Sequence, residues 1–285
     1  MIEFRHPKAR LYVPDGLETA SALRRCSHMG VGAHQDDLEI MAFHGVLECF
    51  DNPEDWFCGV TCTEGTGGPR KQELDHLSPE VVGALRNEEQ DKAAKLGRYG
   101  AMIQLNYTSK DVKNADKSDV IASLLDLLHA VQPRVIYTHN PADKHDTHIG
   151  VVLAVLAAIR KMPAEQRPDK LYGCEVWQDL DWLLDDEKVR LDVSGNDQLA
   201  EELINCHVSQ ITPAKRYDLA TIGRRRANAT YSDSHSNTPG AHVTHAMDLT
   251  PLILDDAMSL QDFVVEKIRG FKQSVVNTLA SQLQE

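Results

Sequence analysis

Short apolar runs alternate with longer amphipathic segments over the first part of the chain. The apolar runs, typical of buried strands, occupy residues 28–33, 56–62, 101–105, 134–138 and 171–177. Segments with apolar residues at helical spacing lie between them, at residues 36–50, 81–96, 118–131 and 149–160. This alternation predicts an α/β fold with a Rossmann-like, doubly wound and mostly parallel sheet.

The pattern changes after residue 178, where an acidic segment, residues 179–202, begins. Helical patterns recur at residues 196–207, 213–229 and 251–283, and a polar loop at 232–245 holds His235, His242 and His245. We expect one domain over residues 1–285, with an α/β core in 1–178 and a helical C-terminal extension in 179–285. The acidic segment is interpreted as a solvated face; a cavity wall that selects neutral or cationic substrates is the alternative. Each of these three histidines is a candidate to reach the active site, and the sequence favours none of them over the others.

The first predicted strand leads directly into the sequence H-Q-D-D, residues 34–37, at the start of a helix. His34 and Asp37 are three residues apart, so on a helical turn they share a face and can bind one metal ion. Asp36 points elsewhere and is free to accept a proton, as metal-assisted hydrolysis requires. The alternative is structural, because acidic residues after a strand also form helix N-caps and first turns.

A second polar cluster follows the strand predicted at residues 134–138. Residues 139–148 contain three histidines and two aspartates where that strand gives way to a helix. In an open α/β sheet, sites form at the carboxyl ends of the strands, so both clusters are expected at the same edge. For His139 alone, a loop histidine that caps backbone groups is the alternative interpretation.

The two motifs resemble those of the PIG-L/LmbE-like family of metal-dependent N-deacetylases. The family's A-H-P-D-D-x-E is matched by A-H-Q-D-D-L-E at residues 33–39, and its H-x-x-D-x-H-P-D-H by residues 139–148. Between them, residues 60–65 resemble the family's strand and T-x-G turn, and residues 86–97 its R-x-x-E…A-A-x-x-L-G helix. The resemblance runs in order over roughly residues 28–160, with a looser echo at 207–210.

The resemblance implies a catalytic metal site. A divalent cation, Zn²⁺ or another divalent metal, would be held by His34, Asp37 and His148 with a position left for water. Asp36 would act as the general base, and His145 would stabilise the oxyanion or protonate the leaving amine. The implied reaction removes an N-acetyl group from an amino sugar or its conjugate and releases acetate and a free amine.

Two further residues are candidates for substrate binding, Arg86 and Asp143. For Arg86 the alternative is a helix-surface pair with Glu89. The chain also departs from the family pattern at Thr147, where the family has an aspartate that orients the neighbouring histidine. We hypothesise that Asp143 or Asp146 takes over this contact with His145.

The composition of the chain limits which classes of partner it can bind. The net charge of −13 argues against a nucleic-acid partner or an anionic membrane surface, since both require a basic face. There is no apolar window long enough to span a bilayer and no apolar core of a signal peptide near residue 1. The six cysteines are scattered and mostly lie in apolar runs, so we expect reduced thiols and a cytoplasmic location. Whether the chain forms a homo-oligomer stays open.

Three alternatives to amino-sugar deacetylation remain. The same site could hydrolyse a different amide or a cyclic imide. A nucleotide-binding oxidoreductase is disfavoured, because the first strand ends in H-Q-D-D, whose carboxylates would repel a pyrophosphate, and not in G-x-G-x-x-G. A non-catalytic sugar- or metal-binding relative is the third, although a pure binder has no use for Asp36.

Overall fold

The computed structural model describes residues 3–68, 70–231 and 240–283. In these residues the strands are β1 Arg10–Tyr12, β2 Cys26–Gly32, β3 Trp56–Thr63, β4 Ala101–Tyr107, β5 Val135–His139, β6 Lys170–Cys174, β7 Lys188–Asp192 and β8 Val243–Asp248. They form one sheet in the order β1-β4-β3-β2-β5-β6-β8-β7. The central strands from β4 to β6 are parallel, and β1, β8 and β7 pair antiparallel at the two edges. The predicted mostly parallel α/β sheet is confirmed.

Helices cover both faces of this sheet, as expected for a doubly wound fold. They are α1 Thr19–Arg24, α2 Asp37–Met41, α3 Phe43–Cys49, α4 Pro79–Leu96, α5 Ser109–Lys113, α6 Ser118–Val131, α7 Asp146–Arg160, α8 Asp197–Asn205, α9 Tyr217–Tyr231, α10 Pro251–Leu254 and α11 Leu260–Leu283. Leu127 of α6 and Val155 of α7 belong to one apolar cluster. Leu38 of α2 and Leu203 of α8 belong to a second one. Alternate residues of the strands pack into one cluster or the other, because successive side chains of a strand point to opposite faces of the sheet.

The order of the strands reverses between β2 and β5. From β2 the chain continues to β3 and β4 on one side, whereas β5 and β6 lie on the other. At such a switch point the loops that follow the two neighbouring strands leave in opposite directions and open a crevice at the carboxyl ends. Residues 34–37 follow β2 and residues 139–148 begin at the end of β5, so both motifs line this crevice.

Three features of the fold differ from the expected pattern. The helix predicted at residues 36–50 is divided at Ala42, and α3 then packs so closely that a Cβ on Gly45 would lie 2.5 Å from the Tyr137 ring. The helix predicted at 251–283 is interrupted after α10, where the Asp255 and Ser259 side chains accept backbone N–H groups. The C-terminal part is not only helical, because it adds β7 and β8 to the sheet.

Other expectations concern the surface and the thiols. In the acidic segment, Lys188 forms ion pairs with Asp181 and Asp185, an arrangement consistent with a solvated face. All six cysteines are free thiols, and five of them are buried. Of the helices within the described ranges, none is both long enough and apolar enough to cross a membrane.

Candidate active site

The loop between β2 and α2 fixes the Asp37 carboxylate at the end of the central strand. Its Oδ2 accepts hydrogen bonds from the backbone N–H groups of Ala33 (2.9 Å) and His34 (2.7 Å). The approach is tight, because a Cβ on Gly32 would lie 2.9 Å from the Asp37 Cβ. Asp36 has a φ of 101°, a left-handed conformation that costs a non-glycine residue about 1–3 kcal/mol. Such strain is typical of functional sites, and Asp36 lines the cavity described below.

Three of the predicted site residues lie together here. His148 Nε2 is 3.3 Å from His34 Nδ1 and 3.5 Å from Asp37 Oδ1. The three ligand atoms all lie within 4.8 Å of one another. Ligands at zinc-bond distances around a tetrahedral ion are about 3.3 Å apart. The spacing therefore fits a single divalent cation bound by two imidazoles and one carboxylate, a donor set that catalytic zinc sites use with one position left open.

Asp143 contacts the opposite nitrogen of His148. Its Oδ2 is 3.3 Å from His148 Nδ1 and accepts the backbone N–H of Trp177 at 3.1 Å, and its Oδ1 accepts the backbone N–H of His145 at 3.0 Å. Metal-binding histidines commonly donate their second N–H to a carboxylate, which fixes the tautomer and the ring orientation. Asp143 does not line the cavity, so the expectation that it contacts substrate is replaced by a supporting position behind His148.

His139 lies against the same group from within the protein. Its fully buried ring stacks on His148 with the ring centroids 3.7 Å apart, and its Nε2 is 3.3 Å from Asp37 Oδ2. With Asp143 and His148 it forms a second compact set of ligand atoms. That set is wholly buried, whereas the first set reaches the cavity through His34 and Asp37. Substrate therefore has access to the first set.

Burial and neighbouring charges shift the pKa values of Asp36, Asp37 and His148 in different directions. Burial and the adjacent Asp37 carboxylate raise the pKa of Asp36 to about 7. Although burial opposes ionisation of Asp37, the neighbouring His148 and His139 rings hold the pKa of Asp37 well below its ordinary value. Burial and the proximity of His139 lower the pKa of His148 to about 4. At neutral pH, Asp37 is ionised and His148 is neutral, which are the forms that bind a metal.

His145 lies beside the ligand cluster, and no carboxylate of the described residues contacts its ring. Its Nδ1 accepts the backbone N–H of Thr147 at 3.3 Å, and burial together with His34 lowers the pKa of its imidazole. The neutral ring therefore carries its proton on Nε2. The hypothesis that Asp143 takes over the missing aspartate's contact is wrong for the ring, since Asp143 binds the backbone of His145 and the imidazole of His148. Asp146 is exposed at the start of α7.

The cluster opens into a cavity of about 320 Å³. On one side it is lined by His34, Asp36, Asp37 and His145. On the other side it is lined by one face of α9, at the helical spacing i, i+3, i+4, i+7 and i+8: Tyr217, Ala220, Thr221, Arg224 and Arg225. The Trp177 ring connects the two sides, with its centroid 6.1 Å from that of His145 and 6.2 Å from that of Tyr217.

Arg86 also lines this cavity and is almost fully buried. Its Nη1 donates to the carbonyl of Gly65, in the glycine-containing loop that follows β3. Burial lowers the pKa of its guanidinium, while the Asp36 and Glu89 carboxylates oppose that shift. Glu89 is directed elsewhere and accepts the backbone N–H and the hydroxyl of Ser209. Arg86 is therefore not a helix-surface residue, and its charge faces the predicted base.

Sequence reasoning missed a buried ion pair behind α2. Glu39 accepts hydrogen bonds from His207 Nε2 (3.0 Å), Gln90 Nε2 (2.9 Å) and Tyr99 (2.8 Å). Burial disfavours the charged His207, but the Glu39 carboxylate outweighs that effect and raises the pKa of His207. The pair joins the first motif to the segment after α8. The weak resemblance to the family at residues 207–210 was the sequence signal from which the pair could have been found.

The loop histidines do not supply the site in the described part of the chain. His242 contacts Asp197 at 3.0 Å and accepts from Arg226 at 2.9 Å. His245 is fully buried in β8. Neither of them is among the residues that line the cavity. His235 lies outside the described residues.

Comparison with known proteins follows the same motifs. Residues 29–159 match the family model for PIG-L, described as GlcNAc-PI de-N-acetylase. The chain is also 26% identical over 156 residues to the uncharacterized deacetylase YaiS of Escherichia coli strain K12, covering 53% of this chain and 77% of that relative. The family match contains both the motif that follows β2 and the motif that follows β5.

Solved structures share the fold at lower identity. The N,N'-diacetylchitobiose deacetylase of Pyrococcus horikoshii has a TM-score of 0.63 at 14% identity, over 83% of this chain and 88% of its own. The 4-carboxy-2-hydroxymuconate hydratase GalB of Pseudomonas putida KT2440 has a TM-score of 0.61 at 18% identity, over 79% of this chain and 96% of its own. One of these proteins is a deacetylase and the other a hydratase, so the fold by itself does not select the reaction.

Proposed function

We propose, because residues 29–159 match the PIG-L family model, that the chain is a metal-dependent N-deacetylase acting on an N-acetylated amino sugar or amino-sugar conjugate. In this reaction water adds to the acetamide carbonyl carbon, the C–N bond breaks, and the products are acetate and a free amine. The observation that carries the proposal is the ligand cluster of His34, Asp37 and His148 beside an unliganded Asp36 in one cavity.

His34, Asp37 and His148 would hold the divalent cation, for which we propose Zn²⁺. Their spacing fits the ion, and two imidazoles with one carboxylate are donors that zinc accepts. When bound, such an ion polarises the carbonyl and lowers the pKa of water. Asp37 is fixed in advance by two backbone N–H groups, and His148 is oriented by Asp143, so little reorganisation is required on binding.

Asp36 is the proposed general base. It is adjacent to the ligand Asp37, yet it lines the cavity and has no place in the ligand cluster. Its left-handed φ is the kind of backbone strain that is typical of functional sites. Asp36 takes a proton from the attacking water and returns it to the nitrogen of the departing amine.

His145 is the proposed oxyanion donor. The backbone N–H of Thr147 occupies its Nδ1, so the neutral ring offers Nε2–H to the carbonyl oxygen as negative charge develops there. Of the two roles that the resemblance implied for His145, we propose this one over protonation of the amine, because its imidazole has a lowered pKa and no carboxylate of the described residues contacts the ring. Arg86, which faces Asp36, orients substrate near the base.

Acetate release tests the proposal. Purified protein is incubated with a panel of N-acetylated amino sugars, with and without a chelator, and acetate is quantified. We expect metal-dependent release from at least one sugar and none from His148→Ala. Equal release in the presence of the chelator would contradict the metal requirement. No acetate from any sugar, with hydrolysis of another amide or of a cyclic imide detected by its own product, would change the substrate class. The free thiols fit a reducing compartment, and a cytoplasmic location is proposed on that basis.

A further inference from the structure

The cavity is basic although the chain as a whole is acidic. The net charge of the chain is −13. Five cationic side chains line the cavity against three carboxylates, and two of those carboxylates, Asp36 and Asp37, belong to the proposed catalytic group. The third is Glu175, whose oxygens accept the backbone N–H groups of His245 and Leu180. A bound divalent cation would add further positive charge, so the cavity favours an anionic ligand.

Two of the cations have no carboxylate within salt-bridge distance among the described residues, although the Arg224 charge still acts on the pKa of Glu175. Arg216 pairs with Asp218, whereas neither Lys215 nor Arg224 forms a salt bridge within the described residues. The Lys215 ammonium lies 4.8 Å from the centroid of the Trp177 ring. Arg224 donates one N–H to the carbonyl of Val176, the residue before that tryptophan. Both charges are therefore held against the wall of the cavity formed by residues 176–177.

The position of Trp177 sets the separation between these charges and the catalytic group. One side of its ring is near His145 and Lys215 lies over the ring, at the centroid distances of 6.1 Å and 4.8 Å. The His145 imidazole and the Lys215 ammonium therefore both lie beside the same tryptophan, and we expect one sugar-sized ligand next to Trp177 and Tyr217 to contact both. Aromatic rings of this kind bind the apolar face of a ligand, and the flanking cation binds a charged substituent.

We propose that the substrate carries an anionic substituent, a carboxylate or a phosphate, which binds Lys215 and Arg224 while the acetamide lies at the ligand cluster. This inference rests on the proposed deacetylation for the position of the acetamide. It reverses the alternative that the acidic segment selects neutral or cationic substrates, because no residue of 179–202 lines the cavity in the described part of the chain.

The test compares charged and neutral sugars on the holoenzyme. We would measure kcat/KM for acetate release from N-acetylglucosamine, its 6-phosphate, its 1-phosphate and N-acetylmuramic acid, which separates phosphate from carboxylate. We expect kcat/KM for at least one anionic sugar to exceed that for N-acetylglucosamine by about 10-fold or more, because a charge-assisted hydrogen bond contributes about this much. The preference should weaken as salt is added. If kcat/KM for the neutral sugar equals or exceeds kcat/KM for every anionic sugar, the inference is overturned and the proposed deacetylation is unaffected.

Matched variants locate the anion. Lys215→Met keeps packing on Trp177 but removes the charge, and Arg224→Gln removes the second charge; each should lower kcat/KM roughly 10-fold or more for the anionic sugar and little for the neutral one. Lys170→Met makes the same charge change at the start of β6, at the opposite end of the strands, and should leave the preference intact. An equal loss for charged and neutral sugars in Lys215→Met would contradict the assignment.

A binding measurement separates this inference from the proposed function. Calorimetry with glucosamine 6-phosphate and with glucosamine does not require turnover. If no sugar releases acetate, stronger binding of the phosphorylated sugar that is lost in Lys215→Met still supports the anion site, whereas the deacetylase proposal fails. Equal binding of the two sugars overturns the anion site. Binding that persists in Lys215→Met and disappears with a chelator places the anion on the metal and also overturns it.

Discussion

Replacing Asp143 by asparagine should weaken metal binding although Asp143 is not in the proposed ligand cluster. Its carboxylate accepts three contacts, from His148 Nδ1 and from the backbone N–H groups of Trp177 and His145. An asparagine has one oxygen acceptor and one NH₂ group. If the oxygen takes the position of Oδ2, the NH₂ opposes the N–H of His145; if it takes the position of Oδ1, the NH₂ opposes His148 and Trp177.

The size of the effect follows from the lost orientation of His148. Removing a carboxylate behind a metal-bound histidine typically costs about 10- to 100-fold in metal affinity, or about 1.4–2.7 kcal/mol. The Trp177 contact survives in only one of the two amide orientations, so we expect Asp143→Asn to lie within this range and Asp143→Ala at its upper end. Competition with a chromophoric chelator measures the affinity, and circular dichroism checks that the fold is retained.

Asp146→Asn is the matched control for this experiment. It makes the same chemical change three residues away, at an exposed position. We expect no more than a twofold change in its metal affinity, since surface substitutions have small effects. Unchanged affinity in a folded Asp143→Asn protein, or an equal loss in Asp146→Asn, would refute the assigned role of Asp143.

Three further predictions concern the catalytic and buried groups. Asp36→Asn should retain its metal and lose about 10²–10⁴-fold in turnover, whereas loss of metal, measured by mass spectrometry, would make Asp36 a ligand. His207→Ala should destabilise the protein by about 3 kcal/mol in urea unfolding, because it leaves the Glu39 charge buried without its partner; a change below 1 kcal/mol would argue against a charged pair. Because the pKa of His207 is raised in the folded state, the protonated imidazole stabilises the protein fully at pH values below its ordinary pKa of 6.5. This stabilisation is lost as the pH rises through the raised pKa. Unfolding of the metal-free protein over a pH series should therefore show a decline in stability that is absent in His207→Gln.

Much of the sheet could be predicted because parallel strands buried on both faces appear as continuous apolar runs. The five central strands were located in this way, and the two motifs were placed at one edge from the rule for open sheets. The antiparallel strands β1, β7 and β8 were missed. Their residues are only partly apolar, as in Lys188–Asp192, and such short antiparallel strands leave a weak pattern in a single sequence.

The cavity wall was harder to predict than the ligand cluster. His34 and Asp37 were predicted from their spacing on a helical turn, and His148 from the resemblance of residues 139–148 to the family motif; the fold brings the three side chains together. Trp177 and Arg224 line the cavity through contacts between distant segments, and a helical pattern does not reveal which strand edge it will cover. The position of Asp143 shows the same limit, since proximity in sequence suggested His145 and the fold placed the carboxylate on His148.

The account depends on one divalent ion at the carboxyl ends of β2 and β5, and anomalous diffraction from crystals of the zinc-loaded protein tests this most directly. We predict one strong peak about 2.0–2.1 Å from His34 Nδ1 and His148 Nε2 and about 2.0–2.2 Å from an Asp37 oxygen, beside an unliganded Asp36. A peak among His139, Asp143 and His148, or the absence of a peak from active protein, would contradict the account.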